Sequence, residues 1–560
     1  MRFLSRRYIF VILSFLIITG LCSCSHDSEH GLGDTVAKHA MVASAHPVAS
    51  SVGIDILKRG GNAVDAALAV AFALSIAEPN ASGIGGGGFM MIKMADEEEP
   101  IMVDYREMAP RKATKELYYK TGSSFGELTG EGPLSVGVPG LVSCADLILE
   151  EYGTMTLEKI LTPSIKLARE GIVVSEKLNG MIVDNLEKIM NFPSTSDIYL
   201  SDMLPLETGA LLKNEDLADT FEKLGQAGAS TFYEGDIAKA IVSEIRQYGG
   251  VFELEDMKSY KAKLRKPVQG SYRDYSIFSA APVSGGGTHL IELLNIMEGF
   301  DVKTVGHNSV AFIHLFTEAM KMIYADKSTN TADPDFFHIP VETFIDKGYA
   351  DKLRRKINEK KAMFDYSPPH RMDRESNETS HLSVVDEEGN IVALTQSINN
   401  FFGSGMVVSG AGFLLNDHLS DFDPRPDMPN SIAPHKRPTS SIAPTIILKE
   451  GKSYLTLGTP GGSRIVSALA QIIMNIIDFD MSIDEAIEAP RVHCFNRVLN
   501  VEGRIGEDVI EQLQLMGHSV EVREDYDKYF GGAQGILIHL ETKKLYGGAD
   551  SRRDGVAMGF

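Results

Sequence analysis

The chain has 560 residues, of which 43% are hydrophobic and 23% charged, a globular balance that excludes disorder for its bulk. Its formal net charge of −22 and pI near 5.2 argue against nucleic acid as a partner, because phosphate binding needs clustered Lys and Arg that this sequence lacks. At about 150 residues per domain, length alone predicts three or four domains.

Residues 1–24 read as an export signal. Arg2, Arg6 and Arg7 form a basic front, and Tyr8 to Ile18 is apolar except for Ser14. That run is shorter than the ~20 helical residues a bilayer span requires. Leu21-Cys22-Ser23-Cys24 resembles a bacterial lipobox, with the small Ser23 before Cys24; Cys22 is the poorer candidate because bulky Leu21 precedes it. The expectation is export to the periplasm or cell surface with a lipid anchor at Cys24, or secretion if the signal is an ordinary cleaved one. One acyl chain anchors only marginally, so stable attachment needs two. Residues 25–36 form a polar tether. Cys144 and Cys494 sit in surroundings typical of buried free thiols, and no disulfide is expected. HExxH, CxxC and EF-hand patterns are absent, and Asp417, Asp421, Asp423 and Asp427 lack calcium-loop spacing, so no metal is expected.

Small and apolar residues recur at helical spacing from Val42 to Leu57 and from Asn62 to Leu74, interrupted by Gly60-Gly61. Gly83 to Gly88 leads into strands at Phe89–Lys93 and Pro100–Tyr105. The centre, 134–300, is mostly helical in pattern, with helices expected at Leu157–Glu170, Leu217–Leu224, Ile237–Tyr248 and His289–Met297; Pro267–Ala281 is strand-like. A helix over His307–Asp326 precedes a polar, Pro-bearing stretch from Ser367 to Thr379. Strands are then expected at Leu382–Thr395, Met406–Leu414 and Thr445–Leu457, and a strong helix at Arg464–Phe479. Blocks of sheet alternating with blocks of helix predict a layered α+β fold, not a doubly wound parallel sheet.

Thr379 stands where the polar stretch meets the first of these strands. Val384 and Val385 are β-branched, Asp386-Glu387-Glu388-Gly389-Asn390 supplies turn chemistry, and Ile391–Thr395 returns as a second strand. A cut before Thr379 would leave a hydroxyl and an α-amine on one residue held by a rigid sheet. Such an amine has an unperturbed pKa of roughly 7.7–8.0, suited to a general base.

Around this residue lie Ser397-Ile398-Asn399, Leu415-Asn416-Asp417-His418-Leu419-Ser420-Asp421-Phe422, Lys436-Arg437-Pro438-Thr439-Ser440-Ser441 and Gly458-Thr459-Pro460-Gly461-Gly462-Ser463-Arg464. Upstream are Gly61-Asn62-Ala63-Val64-Asp65-Ala66-Ala67, Gly83-Ile84-Gly85-Gly86-Gly87-Gly88-Phe89 and Asp104-Tyr105-Arg106-Glu107. In order and spacing these resemble the γ-glutamyltransferase (γ-glutamyltranspeptidase) family of N-terminal nucleophile hydrolases, from about Ala37 to the C-terminus. The resemblance implies a four-layer αββα sandwich and a precursor cut into a large subunit, 37–378, and a catalytic small subunit, 379–560, that form a heterodimer. It implies no cofactor.

The resemblance makes Thr379 the nucleophile, first on the preceding peptide carbonyl and then on a γ-glutamyl amide. Ser397 falls where many members have a Thr that hydrogen-bonds the nucleophile. Gly461 and Gly462 are the implied oxyanion donors; read alone, a strand, glycine turn and helix is also a phosphate cradle or a simple tight turn, but GxGxxG and the Walker Lys are missing. A γ-glutamyl group carries a carboxylate and an ammonium on one carbon. Arg106, Ser440 and Ser441 are the candidates for the first, and Asn399 and Asp421 match the family's ligands for the second.

Two departures stand out. His418 occupies a position commonly Gln or Glu; a neutral imidazole accepts from the substrate ammonium and a protonated one repels it, which predicts weaker donor binding below about pH 6.5. The segment from Phe422 to Lys436 is shorter than in members with a lid over the pocket, which favours larger donors and water as acceptor. The expected activity is that of a self-cleaving γ-glutamyltransferase and glutathione hydrolase, with glutathione and other γ-glutamyl compounds as donors and water, amino acids or peptides as acceptors. The alternatives are a related acylase, a poly-γ-glutamate hydrolase, and a noncatalytic surface-binding lipoprotein.

Overall fold

The computed structural model describes residues 33–119, 124–364 and 378–560. The export signal, the lipobox cysteines, most of the tether and the stretch 365–377 before Thr379 lie outside the described residues.

The strand Glu378–Val385 pairs antiparallel with Ile391–Asn399 on one side and with Met41–Ser44 on the other. The connecting turn is closed by Asp386, whose carboxylate accepts the backbone N–H of Asn390 at 2.8 Å and its side-chain amide at 2.8 Å, with Gly389 at φ 89°. The same carboxylate accepts the N–H of Ala63 at 2.8 Å, fixing the turn to the start of the helix Ala63–Ala77. Alternate residues of the hairpin serve two cores. Leu382, Val384, Val392 and Leu394 join one cluster with that helix, and Val385, Ile391 and Ala393 join the other.

Each side of this hairpin faces a different layer. Its own sheet has seven strands in the order Val556–Gly559, Met41–Ser44, Glu378–Val385, Ile391–Asn399, Gly87–Lys93, Ile101–Asp104, Lys263–Arg265. A second seven-stranded sheet runs Thr35–Ala37, Leu545–Ala549, Gln534–Ile538, Lys452–Gly458, Thr445–Lys449, Tyr275–Ser279, Val268–Tyr272. Helices Pro47–Lys58, Ala63–Ala77 and Leu157–Glu170 belong to the core outside the first sheet. Gly286–Glu298, Val310–Asn330 and Arg464–Ile477 pack with the second. This is the expected αββα sandwich. Both sheets take strands from either side of Thr379, so the three or four separate domains suggested by length are replaced by one interlocked core.

Three local expectations change. Met41–Ser44 is a strand, and the first helix begins only at Pro47, behind His46 as its cap. Met41 and Ala43 enter one core while Val42 enters the other, a period-two burial hidden by small residues that also suit a helix. Met406–Leu414 is a curled loop with one antiparallel bridge, Val407 to Leu414, because Gly410 (φ 68°) and Gly412 (φ 77°) turn the chain left-handed. Thr445–Leu457 divides into two strands at a tight two-residue turn, with Glu450 at φ 52° and Gly451 at φ 74°.

A buried ionic cluster fastens the C-terminal end to this frame. Asp550 accepts Arg491 Nη2 at 2.7 Å, Arg552 Nη1 at 2.8 Å and the N–H of Ala533 at 3.0 Å, while Arg552 Nη2 also meets Glu502 at 2.8 Å. Burial by itself raises the Asp550 carboxyl, but the two guanidiniums override it and bring it down to about 2. Removing this carboxylate takes away the partner of Arg491 and leaves Arg552 with Glu502 alone, so Asp550→Ala is expected to lose about 3–5 kcal/mol in chemical denaturation. Because the folded value lies below the unfolded one of about 3.9, the contribution is complete above pH ~4 and is lost as pH falls through about 2. Asp550→Asn should therefore show a flatter stability profile than the parent between pH 4 and 2.

Candidate active site

Thr379 is 3% exposed and stands at an irregularity in the hairpin: Glu378 pairs with Asn399 and Ser380 with Gln396, so the register slips at the residue between them. The extra residue is on the partner strand, where Ser397 and Ile398 together lie opposite the single Thr379. Its neighbours are pinned from behind. Ser380 Oγ donates to Glu78 and lies 2.9 Å from Ser82 Oγ, and the carbonyl of Thr379 accepts Arg553 Nη1 at 3.4 Å. Burial raises the Glu78 carboxyl, against the pull of Arg553 and Ser380.

Across the hairpin, Ser397 Oγ accepts the N–H of Asn399 at 2.8 Å. The backbone of Ser397 is overlaid closely by the glycine run: a Cβ on Gly86 would fall 2.1 Å from the Ser397 carbonyl, and one on Gly87 2.4 Å from that of Tyr105. The run therefore allows two backbones to touch. Asn399, at φ 82°, donates its amide to the Asp417 carbonyl at 3.1 Å and to Ser420 Oγ at 2.8 Å. Asn416 holds the same segment from the other side, with Nδ2 donating to Gly85 and Gly137 carbonyls at 2.8 Å each. The strand carrying Asn399 is thus tied to the short helix His418–Asp421.

At the end of that helix Asp421 pairs with Arg106, which is 1% exposed. The guanidinium is held by the carbonyls of Pro438 (Nε, 3.1 Å) and Thr439 (Nη2, 2.8 Å), and its Nη1 lies 3.5 Å from Glu107. His418 Nδ1 is 2.8 Å from the other oxygen of Glu107. The residues expected to divide the carboxylate and the ammonium of a substrate are therefore in contact with one another. His418, expected to face a substrate ammonium, thus has Glu107 directly beside it.

Ser440 and Ser441 continue the chain from Thr439 and are half-buried. The Ser440 carbonyl accepts the N–H of Gly285 at 2.9 Å, and Ser441 Oγ accepts Lys327 Nζ. Gly461 (φ 129°) and Gly462 (φ 56°) form the turn between the strand Lys452–Gly458 and the helix Arg464–Ile477. The strand's last residue lies directly on His381, two residues from Thr379: a Cβ on Gly458 would be 2.2 Å from the imidazole. From the other side, Thr459 Oγ1 accepts the N–H of Gly532, and Gly532 backs onto the side chain of Arg553. Contacts run from Thr379 through Arg553 and Gly532 to Thr459 beside the glycine turn, and a second chain runs from Asn399 through Ser420 to its neighbour Asp421, Arg106 and the Pro438 and Thr439 carbonyls. Sequence reasoning passed over Glu107, Lys327, Arg553 and Glu78. Glu107 lay inside a quoted motif, whereas the others gave no local signal.

One group among the described residues has the make-up of a metal site: His314, Glu318 and His518, all buried, with ligand atoms within 4.8 Å of one another. Most of their atoms have partners within the protein. His314 Nδ1 meets His518 Nε2 at 2.7 Å, His314 Nε2 the Asn358 carbonyl at 2.8 Å, and Glu318 accepts Lys321 Nζ at 2.6 Å and the N–H of Met363 at 3.2 Å. An ammonium occupying the carboxylate makes this a hydrogen-bonded seam between the helix Val310–Asn330 and the chain around His518. Cys144 and Cys494 are buried free thiols.

The profile of the family described as gamma-glutamyltranspeptidase matches residues 49–560. The chain belongs to the γ-glutamyltranspeptidase family. It is 38% identical over 541 residues to the glutathione hydrolase proenzyme of Escherichia coli (strain K12), which spans 94% of this chain and 92% of that one. It is also 38% identical over 525 residues to the Acylase ACY 1 proenzyme of Pseudomonas sp. (strain SE83), covering 92% and 93% of the two chains. A solved cephalosporin acylase from Bacillus halodurans is 28% identical and superposes with a TM-score of 0.88 over 97% of this chain and 99% of that one.

In this γ-glutamyltranspeptidase-family chain the contact between His381 and Gly458 sets the spacing of nucleophile and glycine turn. The imidazole cannot yield easily, because its nitrogens are engaged by Thr395 Oγ1 at 2.7 Å and Ser383 Oγ at 3.1 Å and burial lowers its pKa to about 3. Gly458→Ala is expected to lose about 1–3 kcal/mol through overpacking. It should also slow chain cleavage, read as the fraction of intact chain on a denaturing gel over time.

Proposed function

We propose that this chain is a self-cleaving γ-glutamyltransferase and glutathione hydrolase working through Thr379. The observation that carries this reading is the placement of the buried Thr379 at the bulge of a rigid hairpin tied, through Asn399 and Ser420, to the Arg106–Asp421 pair. Attack of the Thr379 hydroxyl on the Glu378 carbonyl exchanges the peptide bond for an ester. The exchange frees the Thr379 α-amine, which becomes the general base, and water then hydrolyses the ester to release the Glu378 carboxylate and restore the Thr379 hydroxyl. In the mature enzyme the same hydroxyl takes the γ-glutamyl group from its amide, the leaving amine departs with a proton, and water or an amino group accepts the acyl unit. Gly461 and Gly462 are the proposed oxyanion donors, each such donor being worth about 2.7–4 kcal/mol in other acyl-transfer enzymes. Ser397 supports the nucleophile; Arg106, Ser440 and Ser441 take the donor's carboxylate; Asn399, Asp421 and His418, with its partner Glu107, form the side that receives the ammonium.

The proenzyme names of the relatives support cleavage into pieces 37–378 and 379–560. Strands from both sides of the cut share both sheets, which supports a heterodimer that stays together after cleavage. Glutathione and related γ-glutamyl compounds are the proposed donors, and amino acids or peptides the acceptors beside water. Residues from Phe422 to Lys436 fold onto themselves, with Asp423 bridged to Ser431 and Tyr119 OH donating to the Asp423 carbonyl at 2.8 Å. This supports an accessible cleft and, with it, longer γ-glutamyl donors such as poly-γ-glutamate. Export with a lipid anchor at Cys24 is proposed from the N-terminal pattern alone.

The acylase reading is favoured by one observation, the equal 38% identity to an acylase proenzyme. A glutaryl group has the carboxylate of γ-glutamate but no ammonium, so Asp421 separates the two. Asp421→Ala is expected to depress kcat/KM for γ-glutamyl anilide by the equivalent of about 2–5 kcal/mol while sparing glutaryl anilide; equal losses would refute its assigned role. N-terminal sequencing of the parent should find a fragment starting at Thr379 that is missing from Thr379→Ala. Anilide release stimulated by a dipeptide acceptor would establish transfer, and unstimulated release would make the protein a hydrolase. An uncleaved, inactive parent would instead indicate a binding lipoprotein.

A further inference from the structure

The cation expected to receive the donor's carboxylate is already compensated. Arg106 is paired with Asp421 and lies 3.5 Å from Glu107, so this trio carries a formal charge of −1 before any substrate arrives. A carboxylate brought beside it gains little from Arg106 alone. The second positive charge comes from another element.

The helix Val310–Asn330 reaches the site at two points of its last turns. Lys327 Nζ donates to Ser441 Oγ, and Tyr324 OH donates to the Ser463 carbonyl at 2.8 Å, immediately after Gly462. The Lys327 ammonium also lies 5.7 Å from the centre of the Tyr324 ring, so the two side chains brace each other. The helix end is fixed in turn, since Thr331 Oγ1 donates to the Lys327 carbonyl and Thr331 packs against Gly285, whose N–H bonds the Ser440 carbonyl.

We infer that Lys327 is a positioning and specificity-determining residue that, through Ser441, selects donors bearing a free carboxylate on the carbon remote from the scissile amide. A hydroxyl that accepts from an ammonium turns its own proton away from that partner. Ser441 then donates to the incoming anion, and the fixed charge behind it strengthens the bond. The carboxylate is thereby held between Ser441 and Arg106, and the ammonium falls to the acidic side at Asp421 and Glu107. This rests on the proposed γ-glutamyl chemistry and adds to it which charge recognises which group.

The test uses full-length parent, Lys327→Met and Lys327→Arg with three p-nitroanilides: γ-glutamyl, glutaryl, and the γ-glutamyl compound with its α-carboxylate converted to the carboxamide. Lys327→Met is expected to raise KM for both carboxylate donors by about tenfold or more, with kcat changed far less. The carboxamide donor should be turned over as by the parent, and Lys327→Arg should recover most of the loss. Self-cleavage at Thr379 should proceed in both variants, because the scissile peptide is held in place covalently and needs no anion site to bind it. A loss shared equally by all three donors, or confined to kcat, would overturn the inference and leave Lys327 a structural residue, as would unchanged kinetics. A parent that releases no anilide from either carboxylate donor would overturn instead the γ-glutamyl and glutaryl chemistry on which the inference stands.

Discussion

The hairpin made by Glu378–Val385 and Ile391–Asn399 must be immobile and yet present one residue for chemistry, and most of the structure follows from that demand. It lies inside a seven-stranded sheet with a second sheet stacked on one face and the helix Ala63–Ala77 on the other. No ordinary fluctuation of such a strand moves its end far, because every side chain along Ile391–Asn399 is buried. The bulge at Ser397-Ile398 interrupts the ladder only opposite Thr379, at the end of an otherwise regular pairing. Asp386 fixes the far end of the hairpin and Arg553 the near end, so both ends are determined by contacts distant in sequence.

Burial of charge is the second demand. Arg106, Glu107 and His418 are almost fully enclosed, and Asp421 only partly open. Desolvating such groups opposes folding, and replacement by apolar side chains often stabilises a protein. A pocket for a carbon bearing both charges nevertheless needs fixed charges of both signs close together in low dielectric, where complementary pairs discriminate most strongly. The Arg106–Asp421 contact keeps both charges matched within the protein, at the junction of the strand end after Ile101–Asp104 and the short helix His418–Asp421.

The same scaffold is shared with relatives named as glutathione hydrolases and as acylases at equal identity, so fold and nucleophile do not decide between acyl groups. The decision lies with the few side chains around the Arg106–Asp421 pair and the Ser440-Ser441 stretch. The Ser440-Ser441 stretch is braced by two elements far away in the chain, the helix Val310–Asn330 and the turn around Gly285. Specificity therefore depends on how the two sides of the cut pack against each other as well as on the residues next to the nucleophile.

The sequence by itself determined the hairpin at Thr379, the strands at Phe89–Lys93 and Pro100–Tyr105, the helix Leu157–Glu170 and the strand, glycine turn and helix around Gly461-Gly462, because each has a strong local period and explicit turn chemistry. It misassigned Met41–Ser44 and Met406–Leu414, where small residues fit two periods or glycines curl an apolar run. It also named Arg106, Asn399, Asp421, Ser440 and Ser441 as site candidates by their motifs. Only the tertiary structure decided that Arg106 and Asp421 touch, that His418 is answered by Glu107, that Arg553 holds the Thr379 carbonyl and that Lys327 stands behind Ser441. Those partners are separated by more than a hundred residues each, and no local pattern records which charge will be left facing which. Neutralisation of charge in a packed interior is a property of the whole arrangement, and the folded chain alone expresses it.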